Sequence, residues 1–217
     1  MEELLDAVVC GRYPVASWLP GIEELAARHG YSLGTVREAI RALEARGVLA
    51  VLHGRGQQVL PDDRWDVLDH DIATAILVTH PDREALGEAA EAFRVAAVQV
   101  AMLAAERADP GDAGVLDAAV DRMRTNHARH FVQAETDFHR AVALISGNRF
   151  LASMPGSLPA VLATARQVRA PDRNAVAVSL LERVAVASRH RDPLAAAAGA
   201  EEYGTRLAGW LRRRPSR

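Results

Sequence analysis

A mainly α-helical protein is what the sequence predicts, with a small helical domain closed by a β-hairpin and an all-α helical bundle behind it. Three observations carry this expectation. First, "GIEELAARHG" and "SLGTVREAIRALEARG" each repeat apolar residues at helical spacing and are separated by a glycine. Second, "VLAVL", "HGRG" and "QQVL" follow as strand, turn and strand. Third, from about Trp65 onward no segment alternates like a strand, and alanine-rich helical periodicity runs to the end. The pattern changes at "LPDDRWD", so the domains are expected at residues 1–62 and 66–214.

In order along the chain, a helix is expected around Glu3 to Val9, and "GRYPVASWLP", with two prolines, reads as a loop. The next helix closes at Gly30. In the longer one, Ser32 is placed to cap the N-terminus, Gly47 to follow the C-terminus, and Val36, Ile40 and Leu43 to form the buried stripe. The bundle helices are expected at 66–78, 83–107, 112–126, 131–145, 150–168, 174–189 and 193–212, separated by "HPD", "DPGD", "SGN", "APD" and "RDP". Pro155, Gly156 and Pro159 should kink or break the fifth of these, and Arg166 and Arg169 beyond the break could face an anion.

The 217 residues, 49% of them hydrophobic, suffice for one large core or two smaller ones. A single cysteine, Cys10, excludes an internal disulfide. With no basic-then-apolar leader and no uncharged apolar run of membrane-spanning length, a cytoplasmic location with no membrane partner is expected. The formal net charge of −2 offers no global attraction to nucleic acid. Between Arg28 and Arg55, however, Arg28, Arg37, Arg41, Arg46 and Arg55 outnumber Glu38 and Glu44, a local balance of five minus two, or +3.

Helix, turn, helix and hairpin is the winged helix-turn-helix order, in which the second helix of the pair enters the major groove of DNA. With Val36, Ile40 and Leu43 inward, the outward face of that helix carries Gly34, Arg37 and Arg41, and the hairpin tip carries His53, Gly54 and Arg55. Both surfaces are short, cationic and relieved by glycine, so the backbone can approach phosphates.

The stretch "LPGIEELAARHGYSLGTVREAIRALEARGVLAVLHGRGQQV" resembles the DNA-reading domain of the GntR family of bacterial transcriptional regulators. By position, the resemblance implies DNA contacts at Ser32, Leu33, Gly34, Thr35 and Arg37, and at His53 and Gly54 in the wing. Two departures stand out, since Glu23 and Leu33 occupy places where relatives often carry arginine. An arginine that reads guanine with both nitrogens contributes about 1–3 kcal/mol of discrimination, so a different operator or weaker binding is expected. A helix-turn-helix that reads two half-sites also implies a homodimer.

The remainder resembles the FCD, or FadR-like, effector domain through "LAAERAD", "DFHRAVALISGN" and "RHRDPLAAAAG". The resemblance implies a cavity for a small organic acid that modulates operator affinity and, in many members, a divalent metal held by an aspartate and three histidines. Here Glu135 stands at the aspartate place and His139 four residues on, one helical face apart. The other two histidine places fall on Leu181 and Tyr203, so no cofactor is required and a metal is not expected. His127, His130 and His190 fall near helix ends, where they read as solvated or capping residues. The family's frequent arginine and glutamate fall on Phe93 and Ala97, with Arg94 adjacent should the register slip by one.

The expected effector pocket is therefore Arg94, Glu135, His139, Leu181 and Tyr203, and the expected function is a repressor-type transcriptional regulator. Two alternatives stay open: an effector-blind dimeric regulator, and a small helical enzyme using Glu135 and His139 as base and acid. No nucleophile motif or phosphate loop supports the enzyme.

Overall fold

Helix α1 (Glu2–Val9) buries Leu4, Leu5, Ala7 and Val8, and α2 (Ile22–His29) buries Leu25 and Ala26. Helix α3 (Leu33–Ala45) adds Val36, Ile40 and Leu43, the stripe its periodicity predicts. These side chains share one core with Val48, Leu49 and Val59 of the hairpin. The structure, a computed structural model, describes residues 1–79, 83–125, 128–151 and 174–212. The chain divides into two compact units, Met1–His80 and Pro81–Arg217.

In the first unit, β1 (Leu49–Leu52) and β2 (Gly56–Val59) are antiparallel, with Leu49 opposite Val59 and Leu52 opposite Gly56 across the tip His53–Arg55. The stretch expected as a plain loop adds an isolated β-bridge to this two-stranded sheet. Val59 N–H donates to Ser17 O at 3.0 Å, Leu19 N–H to Gln57 O at 2.8 Å, and Trp18 pairs with Gln58. Inward Leu19 and outward Trp18 alternate as strand residues do, a signal too short to separate from the flanking prolines.

The expected helix 66–78 takes another form. A 3₁₀ turn (Asp62–Arg64) leads to a short α4 (His70–Thr74), which widens into a π-helical turn (Ala75–Thr79). It belongs to the first unit rather than to the bundle, since Ile72 and Ala75 lie in the first core. The compact unit thus reaches His80, past the expected boundary at 62–66. Asp69 caps this helix, accepting from Asp71 N–H at 3.0 Å and Ile72 N–H at 3.3 Å. Its second oxygen accepts from Arg46 Nε at 2.8 Å.

Burial alone would push the Asp69 carboxyl up, but Arg46 and the two backbone N–H groups outweigh it and hold it below its ordinary value of 3.8. A depressed carboxylate contributes stability that is present above the unfolded value and lost as pH falls through the folded one. Asp69→Ala should therefore cost about 1–2 kcal/mol near neutral pH, and the gap to wild type should narrow on acidification below 3.8. A gap that stays constant through the acid range in urea titrations would show that the cap alone matters.

The second unit contains α5 (Arg83–Arg107), α6 (Pro110–Thr125), α7 (Ala128–Ile145), α8 (Asn174–Arg189) and α9 (Pro193–Arg212). Helices α5, α8 and α9 match the expected limits residue for residue. Helix α6 starts two residues early because Pro110 suits a first turn, where its missing N–H costs nothing. Asp109 and Asp112 cap it reciprocally, each carboxylate accepting the other's N–H, at 2.8 and 3.1 Å. The expected fifth bundle helix, its break at Pro155–Pro159, and Arg166 and Arg169 lie outside the described residues, as does His127. Helix α9 lies along α5 and α8, while α6 lies against α7 and α8. The α9–α5 approach is close. A β-carbon added at Gly204 would stand 2.6 Å from Cγ of Arg94, and one at Gly199 would stand 3.0 Å from Cγ2 of Val184.

Candidate DNA interface and effector pocket

The N-terminus of α3 is built by Ser32. Its hydroxyl accepts from Thr35 N–H at 3.1 Å, which leaves Leu33, Gly34 and Thr35 exposed on the first turn. Four unpaired N–H groups begin any helix, and the end they mark attracts anions. Arg37 and Arg41 follow on the exposed face. Arg41 donates to Glu38 at 3.2 Å, while Glu44 accepts from the backbone N–H of Val51 at 3.2 Å. The two acids that could have neutralised Arg37 are thus engaged elsewhere, and among the described residues it has no carboxylate partner. His53, Gly54 and Arg55 form the exposed wing tip, with Gly54 in the left-handed region at φ 72°. All nine expected contact residues are therefore exposed, on two surfaces of one unit. Glu23 is exposed too, so the departures from the resemblance lie on accessible surface.

The second unit carries a cavity of about 20 Å³ lined by Phe93, Ala97, Val100, Ala101, Phe138, His139, Val142, Leu181, Val184, Ala200 and Tyr203. That volume suits a water molecule, whereas organic ligands occupy several hundred Å³. His139, Leu181 and Tyr203 are part of its lining. Glu135 sits deeper, almost fully buried, and accepts from the Tyr203 hydroxyl at 2.8 Å. Arg94 is the correction, because it is absent from the lining and donates to Glu201 at 2.6 Å. Phe93 and Ala97 take the wall instead, which is the register without a slip. Phe93 and Tyr203 flank the His139 ring, their centroids 5.1 and 5.0 Å from it. Sequence reasoning missed the apolar part of this wall, since Phe138, Val142 and Val184 differ in no way from ordinary core positions. His190, at the end of α8, is exposed, in keeping with its reading as a solvated residue.

Tyr203→Phe keeps the ring and removes a hydroxyl that donates to the buried Glu135, so it should cost about 1–3 kcal/mol of stability. Chemical denaturation checks this; a loss within error would mean that Glu135 does not depend on that hydroxyl.

The FCD domain family matches residues 90–204, more than half of the chain, and the family described as bacterial regulatory proteins, gntR family, matches residues 1–59. The chain belongs to the GntR family, with an FCD domain. Among relatives, the galactonate operon transcriptional repressor of Escherichia coli K12 is 29% identical over 62% of this chain and 60% of its own length. The fatty acid metabolism regulator protein of Klebsiella pneumoniae is 28% identical over 68% of this chain and 61% of its own. The chain thus spans about three fifths of these relatives. Of solved structures, Streptococcus agalactiae GntR covers 96% of both chains at a TM-score of 0.55 and 22% identity. E. coli McbR/YncC covers 97% of this chain and 94% of its own at 0.57 and 16%. These likenesses show the fold. Among the described residues, no helix of this GntR-family chain is long and apolar enough to cross a membrane.

Proposed function

We propose that this protein is a DNA-binding transcriptional regulator of repressor type, acting as a homodimer on a two-fold operator in the cytoplasm. The observation that carries this is the exposed turn Ser32–Thr35 followed by Arg37, an arginine with no carboxylate partner among the described residues, on the helix that such folds place in the major groove. The likeness to a named repressor supports the sense of regulation. The enzyme alternative is set aside, because the relatives and structural neighbours are regulators.

The test is fluorescence anisotropy with labelled DNA from upstream of the protein's own gene. Salt-sensitive binding is expected. Arg37→Gln should weaken it by about 1–3 kcal/mol if the contact is to a base edge, and should lower the salt slope by about 0.9 if it is to a phosphate. Wild-type protein that ignores this DNA at low salt would overturn the proposal.

Within the bundle, the reading is a small effector bound where His139, Leu181 and Tyr203 meet, Glu135 supplying polarity through Tyr203. FCD domains hold metals or small effectors, but the residues here do not fit the metal. Leu181 brings no donor, Tyr203 gives its hydroxyl to Glu135, and among the described residues no three His, Cys, Asp or Glu side chains stand together. The volume of about 20 Å³ favours a second reading, an effector-blind regulator whose bundle serves dimerisation alone. Titrating carboxylic acids while following thermal unfolding separates the two, because a ligand that binds only the folded state raises stability.

A further inference from the structure

The β-bridge beside β2 brings a tryptophan to the wing. Trp18 pairs through its backbone with Gln58 of β2, and its neighbour Leu19 supplies the inward anchor, 7% exposed. The indole therefore stays outside the core, 42% exposed, where burial does not account for its size. It lies over Gly56, whose β-carbon, were one present, would touch Cε3 at 3.8 Å. The Arg55 guanidinium stands over the same indole with Cζ 6.0 Å from the ring centroid. Among the described residues Arg55 has no carboxylate partner.

We propose that Trp18 is the positioning residue of the wing, holding the Arg55 guanidinium over its face in the attitude in which it meets a DNA phosphate. This rests on the DNA-binding reading above. The face of an indole is electron-rich and attracts a cation, most effectively among the aromatic side chains. An arginine at the tip of a three-residue loop otherwise samples many rotamers, and binding must remove that freedom. A ring already under the guanidinium removes part of it beforehand. The ring leaves the N–H groups that point away from it available, so the same side chain can stack and bind phosphate. Trp18 acts through Arg55, and its effect vanishes when Arg55 is gone.

The experiment is a double-mutant cycle in the intact protein: wild type, Trp18→Leu, Arg55→Gln and the double variant. Binding is followed by anisotropy on the upstream duplex and on a random duplex of equal length, across a salt series. Each single change should weaken binding about three- to tenfold on both duplexes, as loss of a phosphate contact does. The double variant should match Arg55→Gln within about twofold. The slope of log K against log salt should fall by about 0.9 in Arg55→Gln and by a fraction of that in Trp18→Leu. Trp18→Phe, which keeps a weaker ring face, should lie between wild type and Trp18→Leu, and it stands in should the leucine variant lose its thermal transition. An equal loss from Trp18→Leu in both backgrounds, or no loss at all, would overturn the proposal while leaving the DNA-binding reading intact. Wild-type protein with no salt-sensitive binding would overturn that reading and this one with it.

Discussion

Gly47→Ala should cost the first unit about 3–5 kcal/mol, out of roughly 4–12 kcal/mol for some eighty residues. Two penalties combine. Gly47 ends the turn after α3 at φ 73°, where a side chain costs about 1–2 kcal/mol. A β-carbon there would also lie 2.2 Å from the carbonyl oxygen of Arg64, a backbone atom that cannot swing aside. This backbone is held, since Asp66 N–H donates to Arg46 O at 2.9 Å. Gly30→Ala is the control, because Gly30 has nearly the same conformation, φ 69°, with nothing within 4 Å of the would-be β-carbon. It should cost only the conformational part. Calorimetry or denaturant unfolding of both variants decides the matter, and equal losses would show that the crowding at Arg64 relaxes freely.

The double substitution Leu181→His, Tyr203→His should turn the pocket into a metal centre and tighten zinc or nickel binding at least about a thousandfold over wild type. Glu135 and His139 already share one face of α7. The side chain at 203 already reaches Glu135, as the 2.8 Å hydroxyl contact shows, and position 181 lines the same cavity as His139. Two neutral imidazoles would raise the donors from two to four, the number a closed zinc site takes. Isothermal titration with the metal alone checks this, and adding Glu135→Gln should remove most of the gain. A folded double variant that binds metal no better than wild type would show that the four positions do not converge.

The sequence made the fold legible wherever local chemistry and tertiary packing agree. The Val36, Ile40, Leu43 stripe, the Ser32 cap and the limits of α5, α8 and α9 follow from periodicity and from capping residues alone. It misled at α4, expected to begin at residue 66 but beginning only after the Asp69 cap. Arg46, 23 residues earlier in the chain, holds that cap, and spacing carries no trace of that pairing. The bridge at Trp18 was hidden for the same reason, because the hydrogen bonds of Ser17 and Leu19 run to residues some forty positions on. In the second unit, His139, Leu181 and Tyr203, singled out by family position, line one cavity. Arg94 was misplaced because an arginine's length lets it answer Glu201 as readily as a ligand.

The glycines of α9 determine which wall of the pocket can give. Contact at Gly204 presses α9 onto α5 and contact at Gly199 presses it onto α8, so a further methyl group would have to shift Arg94 at the first seam and move Val184 at the second. Among the described residues, three of the helices around the cavity, α5, α8 and α9, are thus tied into one frame, carrying Phe93, Leu181 and Tyr203. The fourth, α7, carries Phe138, His139 and Val142 against that frame. A guest larger than a water molecule should displace α7 more readily than that frame. At its far end, α7 stops at the Ser146–Gly147 corner, where Arg107 donates to the Ser146 carbonyl. A guest that shifted α7 would therefore be felt at that contact, with α7 as the lever that carries it there.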